Sequence, residues 1–190
     1  MRTLITLALA GAALTGLTSC TKAAPGGGVP GARPLAEQDM PHRKPGLWRQ
    51  SVVVEGANTP LPDVQACSDA VSETKLNLLG QHRSRDLCQD QNFSRDPDGS
   101  IGFSVRCDLG PKGVTVSTGA IKGDFGSRYQ IAMDSKTTGA KPDALNTEHK
   151  IAITATWIGP CRPGQRGGDL VLADGGSINL TDAHPVKRFP

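Results

Sequence analysis

Large rings are scarce in this chain of 190 residues: aromatics make up 4%, with one tyrosine, two tryptophans and four phenylalanines. Glycine (23) and proline (14) are abundant instead, a profile of many turns and long connections. A surplus of one charge is also missing. Lys and Arg number 21 against 18 Asp and Glu, a net charge of +3. So mild a balance argues against nucleic-acid binding and against strong attraction to anionic surfaces. His42, His82, His149 and His184 are scattered, and there is no His-x₃-His and no Cys-x-x-Cys, so no zinc site and no redox pair is expected. The spacing Gly-x-Ser-x-Gly is absent, so Gly99-Ser-Ile-Gly102 is no nucleophile elbow. Asp124-Phe-Gly126 stands without a glycine-rich ATP loop or a catalytic-loop motif, which leaves it a turn. No facing carboxylate pair is evident. Neither a catalytic residue nor a cofactor is assigned.

What is present begins with a leader. Arg2 is followed by an apolar core from Leu4 to Leu17, interrupted by Gly11 and Gly16. It is shorter than the roughly 20 residues a membrane-crossing helix needs, and it has the layout of a secretory signal over residues 1–19. Leu17-Thr-Ser-Cys20 closes it as a cleavage and lipidation box. A diacylglyceryl group on Cys20 and an acylated amine after cleavage would anchor the protein, because stable anchoring takes at least two chains at about 0.8 kcal/mol per buried CH₂. Thr21 rather than aspartate follows Cys20, which favours the outer membrane over the inner one. The expected place is therefore the periplasm, on a lipid anchor.

Residues 21–44 are rich in Ala, Gly and Pro, including Pro25-Gly-Gly-Gly-Val-Pro30, and read as a tether. His42-Arg43-Lys44 reads as its solvated end. A β domain is expected over 45–161. Trp48, Gln50, Val52 and Val54 alternate as a strand. Ser68 would cap a helix to about Leu79, ended by Gly80, with Val71, Lys75, Leu78 and Leu79 at helical spacing. Ile101, Phe103, Val105 and Cys107 alternate next, then Val114, Val116 and Thr118, then Tyr129, Ile131 and Met133, then Ile151, Ile153, Ala155 and Trp157. Short turns join these runs, which is the pattern of an antiparallel meander. Over 162–190, Leu170-Val-Leu and Ile178-Asn-Leu flank Ala173-Asp-Gly-Gly176 as a small hairpin, and His184 to Pro190 is a tail.

Four cysteines follow Cys20, and an even number in an exported chain reads as two disulfides with three connectivities. Asp96-Pro-Asp-Gly99 is a turn sequence. A symmetric two-residue turn at Pro97 and Asp98 sets Cys88 across from Cys107. A glycine bulge at Gly99 instead sets Phe93 against Phe103 and moves Cys88 to the other face. The favoured pairing is Cys88–Cys107 and, by elimination, Cys67–Cys161. Asp96-Pro-Asp-Gly-Ser also echoes a calcium loop, but Cys107 holds the twelfth place where a glutamate belongs. Arg83, Arg85, Arg162 and Arg166 are read as a solvated rim rather than an anion site. Trp48 and Trp157 read as core plugs; with Val52 and Phe103 they are the candidate lining of a ligand cavity in a small barrel.

The leader, Lys44-Pro-Gly-Leu-Trp48, Val64-Gln-Ala-Cys67, the Cys88 and Cys107 pair and Ile158-Gly-Pro-Cys161 together resemble a bacterial family known as domain of unknown function 3617. The likeness runs from about residue 44 to 180, and Pro163-Gly-Gln-Arg-Gly-Gly-Asp-Leu-Val-Leu172 resembles an extension found in some members. Members usually carry a glutamate after the tryptophan and methionine-rich strands, whereas this chain has Arg49 and three methionines. The resemblance implies an exported, β-rich domain with four cysteines and transfers no catalytic residue.

The expectation is thus mainly β: one antiparallel meander forming an open barrel or strongly curved sheet, with one short helix and two disulfides. The expected role is that of a non-enzymatic cell-envelope lipoprotein binding a small or lipidic ligand. The alternative is a structural or interaction module contacting an envelope protein, and an enzyme comes third.

Overall fold

The computed structural model describes residues 29–57, 59, 61–76, 88, 90–172 and 175–182. The leader and Cys20 lie outside them, as do Gly80, His82 to Arg85, Asp174 and residues 184–190. Among these residues there are ten strands: β1 (Arg33–Pro34), β2 (Gly46–Val54), β3 (Val64–Ser68), β4 (Asp90–Arg95), β5 (Ile101–Asp108), β6 (Val114–Asp124), β7 (Arg128–Thr138), β8 (Glu148–Gly159), β9 (Asp169–Val171) and β10 (Ser177–Asn179). They make a single sheet in the order β1-β4-β5-β6-β7-β8-β2-β3-β9-β10. Every neighbouring pair is antiparallel.

The sheet has two ends, at β1 and β10, so it is open rather than closed. The expected meander runs from β4 to β8. Beyond β8 the order changes, because β2 pairs with β8 and carries β3 outward. The terminal hairpin forms as expected and joins the same sheet through β3, with Ala66 opposite Leu170. The sheet is strongly curved. Trp48 on β2 and Ile101 on β5, with three strands between them, belong to one buried cluster with Phe103, Val105, Ile121, Tyr129, Ile131 and Ala155. These side chains are 6% exposed or less on one face of a single sheet, and the described residues lay no second sheet over it, so the sheet coils over its own face.

The β4–β5 hairpin takes the bulged register. Phe93 faces Phe103 and Arg95 faces Ile101, and Gly99 sits at φ +83°, the left-handed position such a bulge requires. The symmetric register, the route by which Cys88 was set across from Cys107, is therefore not the one formed. The Cys88–Cys107 bond forms nonetheless, with Cα atoms 3.9 Å apart, because Cys88 precedes β4 and is not bound by its register. Cys67–Cys161 is the second disulfide, with Cα atoms 5.5 Å apart.

Two expectations change at the N-terminal side. Helix α1 spans only Ala70–Lys75, and its cap is Asp69, which accepts from the Ser72 N–H at 2.7 Å. Ser68 belongs to β3, and α1 has already ended at Leu76, which is extended; Leu78, Leu79 and Gly80 lie outside the described residues. Val71 is 60% exposed, while Ser72 and Glu73 are buried. Moreover, residues 33–44 are not merely tether. Arg33 and Pro34 pair with β4, the Leu35 N–H donates to the Phe93 carbonyl at 2.9 Å, and Met40 is buried in the core cluster. Isolated leucines and methionines in an Ala/Gly/Pro-rich stretch show no periodicity, yet each has a large apolar surface to bury.

Candidate functional site

The motif stretches that carry the family resemblance turn out to be a lock. The Trp48 indole N–H donates to the Lys44 carbonyl at 2.9 Å, and the Trp157 indole N–H donates to the Pro45 carbonyl at 3.1 Å. The Lys44 ammonium stands 3.6 Å from the centre of the Trp157 ring, a cation–π contact. Gly46 lies between at φ +136°, where an added Cβ would collide with the Gly159 carbonyl oxygen and Trp157 Nε1. Lys44-Pro-Gly-Leu-Trp48 and Ile158-Gly-Pro-Cys161 thus seat β2 against the end of β8, and Cys161 then ties that end to β3 through Cys67.

Behind the lock is a buried polar network. The Glu73 carboxylate accepts from the Arg43 backbone N–H at 2.9 Å, from Arg43 Nε at 2.8 Å and from the Ser68 hydroxyl at 2.8 Å, and Arg43 Nη2 lies 2.6 Å from it. Arg43 is 5% exposed, so the cluster His42-Arg43-Lys44 is not a solvated linker end at its middle residue. Burial acts to lower the Arg43 pKa, but the charges of Tyr129 and Glu73 outweigh it and the net shift is upward. Burial pushes the Tyr129 hydroxyl up. Its ring packs between Trp48 (centroids 5.5 Å) and Phe125 (5.3 Å). These groups are enclosed, and they hold the chain before β2 to α1 and β3.

The four residues expected to line a cavity are placed differently from one another. Trp48 and Phe103 are buried inside the core cluster, Trp157 packs against that cluster, and Val52 is half-buried on β2. A groove among the described residues draws on none of them. It has a volume of about 540 Å³ and is lined by Val53, Glu55, Thr118, Gly119, Ala132, Met133, Asp134, Lys150, Ile151 and Ala152. Register and strand alternation put it on the face away from the core. Val53, Ala152 and Ala132 form one row across β2, β8 and β7. Lys150, Asp134 and Thr118 form the next row on that face, with Glu55 beside Lys150 at 3.7 Å. A coiled sheet is saddle-shaped, hence hollow along one diagonal on its outer face. Small side chains deepen that hollow. At Gly119 an added Cβ would meet the Ala132 carbonyl oxygen, so β6 and β7 approach closely there.

Sequence reasoning missed these residues because it sought the cavity inside a small barrel, lined by Trp48, Val52, Phe103 and Trp157. One signal was available. Val53, Ala132 and Ala152 are apolar at positions where alternation calls for polar side chains, and Val53 is 62% exposed.

The other candidates resolve plainly. In the Asp96–Ser100 turn, Asp98 accepts from the Ser100 N–H at 3.0 Å and pairs with the Lys122 ammonium at 2.7 Å. The hydrogen bond from Lys122 holds the Asp98 carboxyl well below the usual carboxylate range. The loop's cation is thus a lysine. Among the described residues no group of three or more His, Cys, Asp or Glu gathers as a metal site. Arg162 bonds Gln65 Oε1 at 2.7 Å and Arg166 pairs with Asp182 at 3.1 Å; Arg83 and Arg85 lie outside the described residues.

A protein-family model described as Protein of unknown function (DUF3617) matches residues 43–161. No curated protein and no solved structure matches the chain. The match begins at buried Arg43 and ends at disulfide-bonded Cys161, the two limits of the lock.

Proposed function

The chain belongs to the DUF3617 family, and on that premise we propose that it is a non-enzymatic cell-envelope lipoprotein whose outer-face groove binds a small amphiphilic ligand. The groove carries this reading. Its volume of about 540 Å³ falls within the roughly 300–1,000 Å³ of small-molecule sites. Its polarity is graded. The Val53, Ala152 and Ala132 row takes an apolar chain, and the adjoining Thr118, Asp134, Lys150 and Glu55 row takes a polar head. The enclosed state of Arg43, Glu73 and Tyr129 supports binding over catalysis, since a substrate has no path to them. Cys20, through its lipid, holds the domain in the periplasm, on the outer membrane.

The test uses the full chain and dansyl-labelled undecanoic acid as fluorescent probe. Ala132→Phe fills the groove from an exposed position without touching the core. Probe affinity should fall about tenfold or more, roughly 1.4 kcal/mol, with the melting temperature unchanged. Equal affinity in the variant, or no binding by the wild-type chain, would refute the site. If Val53→Asp abolishes co-purification of an envelope protein while the probe never binds, the groove is a protein contact instead. Detergent-dependent fractionation that persists in Cys20→Ser would separately sink the lipid anchor.

A further inference from the structure

β1 is the described strand nearest to Cys20 in the chain, and it places two arginines side by side. Arg33 and Arg95 are direct partners in the β1–β4 ladder, both exposed. Directly opposed side chains have Cβ atoms about 4.5–5.5 Å apart, and like charges there destabilise the pair. Neither arginine has a carboxylate partner among the described residues; the Arg95 guanidinium reaches only the Gly99 carbonyl, at 3.5 Å. Of the nearby carboxylates, Asp98 pairs with Lys122 and Ser100, and Asp96 accepts from the Ser100 hydroxyl through Oδ2 while its Oδ1 is buried without a partner among the described residues. Ahead of β1 the chain still lies on the β4–β5 turn, where the Gly31 backbone approaches Pro97.

We propose that Arg33 and Arg95 form a docking patch for an anionic phospholipid surface, which orients the domain with its β4–β5 turn toward the membrane. This rests on the reading of Cys20 as the lipid anchor. From Cys20 to Arg33 the chain spans at most about 3.3–3.6 Å per residue, so the patch stays within a few nanometres of the bilayer. Two forked guanidiniums suit the phosphate oxygens of headgroups, which accept bidentate hydrogen bonds. A phosphate between them also removes the repulsion that the bare pair carries.

The experiment uses full-length Cys20→Ser protein, so that no lipid chain contributes. Sedimentation with phosphatidylglycerol-containing vesicles at low salt should exceed that with pure phosphatidylcholine and should fade as salt rises. Arg33→Ala/Arg95→Ala should lower the partition coefficient about thirtyfold, on the basis of each arginine's contribution near an anionic surface. Its melting temperature should stay the same or rise, which a purely structural pair would not allow. Lys136→Ala, a cation at the far end of β7 paired with Glu148, is the control and should leave binding intact. Equal binding by the double variant, equal loss in the control, or no preference for anionic vesicles overturns the patch. Displacement by inorganic phosphate at matched ionic strength would assign the pair to free phosphate and overturn the membrane role. Lipidation is read separately by fractionating the native chain, so the two failures are distinguishable.

Discussion

Glu73→Ala is expected to cost on the order of 3–5 kcal/mol of folding stability, a fall in melting temperature of roughly 6–20 °C for a domain of this size. The mutation leaves a buried guanidinium without its counter-charge, with the Tyr129 hydroxyl as its remaining side-chain partner. Arg43 is 5% exposed and has Glu73 as its ion-pair partner, and a guanidinium does not shed its charge at any ordinary pH. Ser68 loses its acceptor in the same step. Arg43→Ala should be milder. The carboxylate it leaves keeps the Ser68 hydroxyl and the backbone N–H of residue 43 as donors. An account from packing alone would rank the two the other way, because Arg43→Ala removes the larger buried side chain and leaves the larger cavity. Thermal denaturation of the two variants decides between these views. A loss below about 1 kcal/mol for Glu73→Ala, the range of a surface pair, would show that the network is hydrated and not structural.

That network also marks where the sequence stops being legible. Long strands with one buried face declare themselves, and β2, β5, β7 and β8 follow their alternation. β6 does not: Val114, Val116 and Thr118 lie on the outer face, with Val116 37% exposed, while Ile121 faces the core opposite Ile101. The helix does not. Apolar spacing selected Val71, Leu78 and Leu79 as its inner face, but α1 turns Val71 outward and buries Ser72 and Glu73. A polar face earns burial only through partners, and Glu73's main partner lies 30 residues away at Arg43. No local pattern encodes that distance. The same holds for Leu35 and Met40, whose burial depends on a surface formed by β2, β4 and β5. β3 does not declare itself because Val64–Ser68 is five residues long and follows closely on Pro60 and Pro62, and its identity as a strand comes from pairing with β2 and β9. The groove was missed for another reason. Alternation tells which residues face the core, and Val52 was chosen on that basis. The coil of the sheet, a global property, makes the opposite face hollow and brings Val53 into use instead.

Breaking Cys67–Cys161 should cost more than breaking Cys88–Cys107, although neither bond is near the groove lining. The two loops differ in length, 94 residues against 19. Chain-entropy reasoning assigns about 4–5 kcal/mol to a loop near 100 residues and about 3 kcal/mol to one near 15. The shorter loop is nested inside the longer one, so closing it first shortens the remaining loop only slightly and leaves a gap of about 1 kcal/mol. Structure adds to this difference. Cys88 and Cys107 join the start of one hairpin strand to the end of its partner, which β4–β5 pairing already holds together. Cys67 and Cys161 join the far side of β2 to the end of β8, where Gly46, Trp48 and Trp157 form the lock. Losing that bond should loosen β3 and with it the β9–β10 hairpin, which joins the sheet through Gln65 and Ala66. Cys67→Ala/Cys161→Ala should therefore show the lower melting temperature of the two double variants. Hydrogen exchange should quicken first at β9 and β10. The reverse ranking, or unchanged exchange at β9, would mean that the β2–β8 lock holds without its disulfide and that the loop argument does not govern this fold.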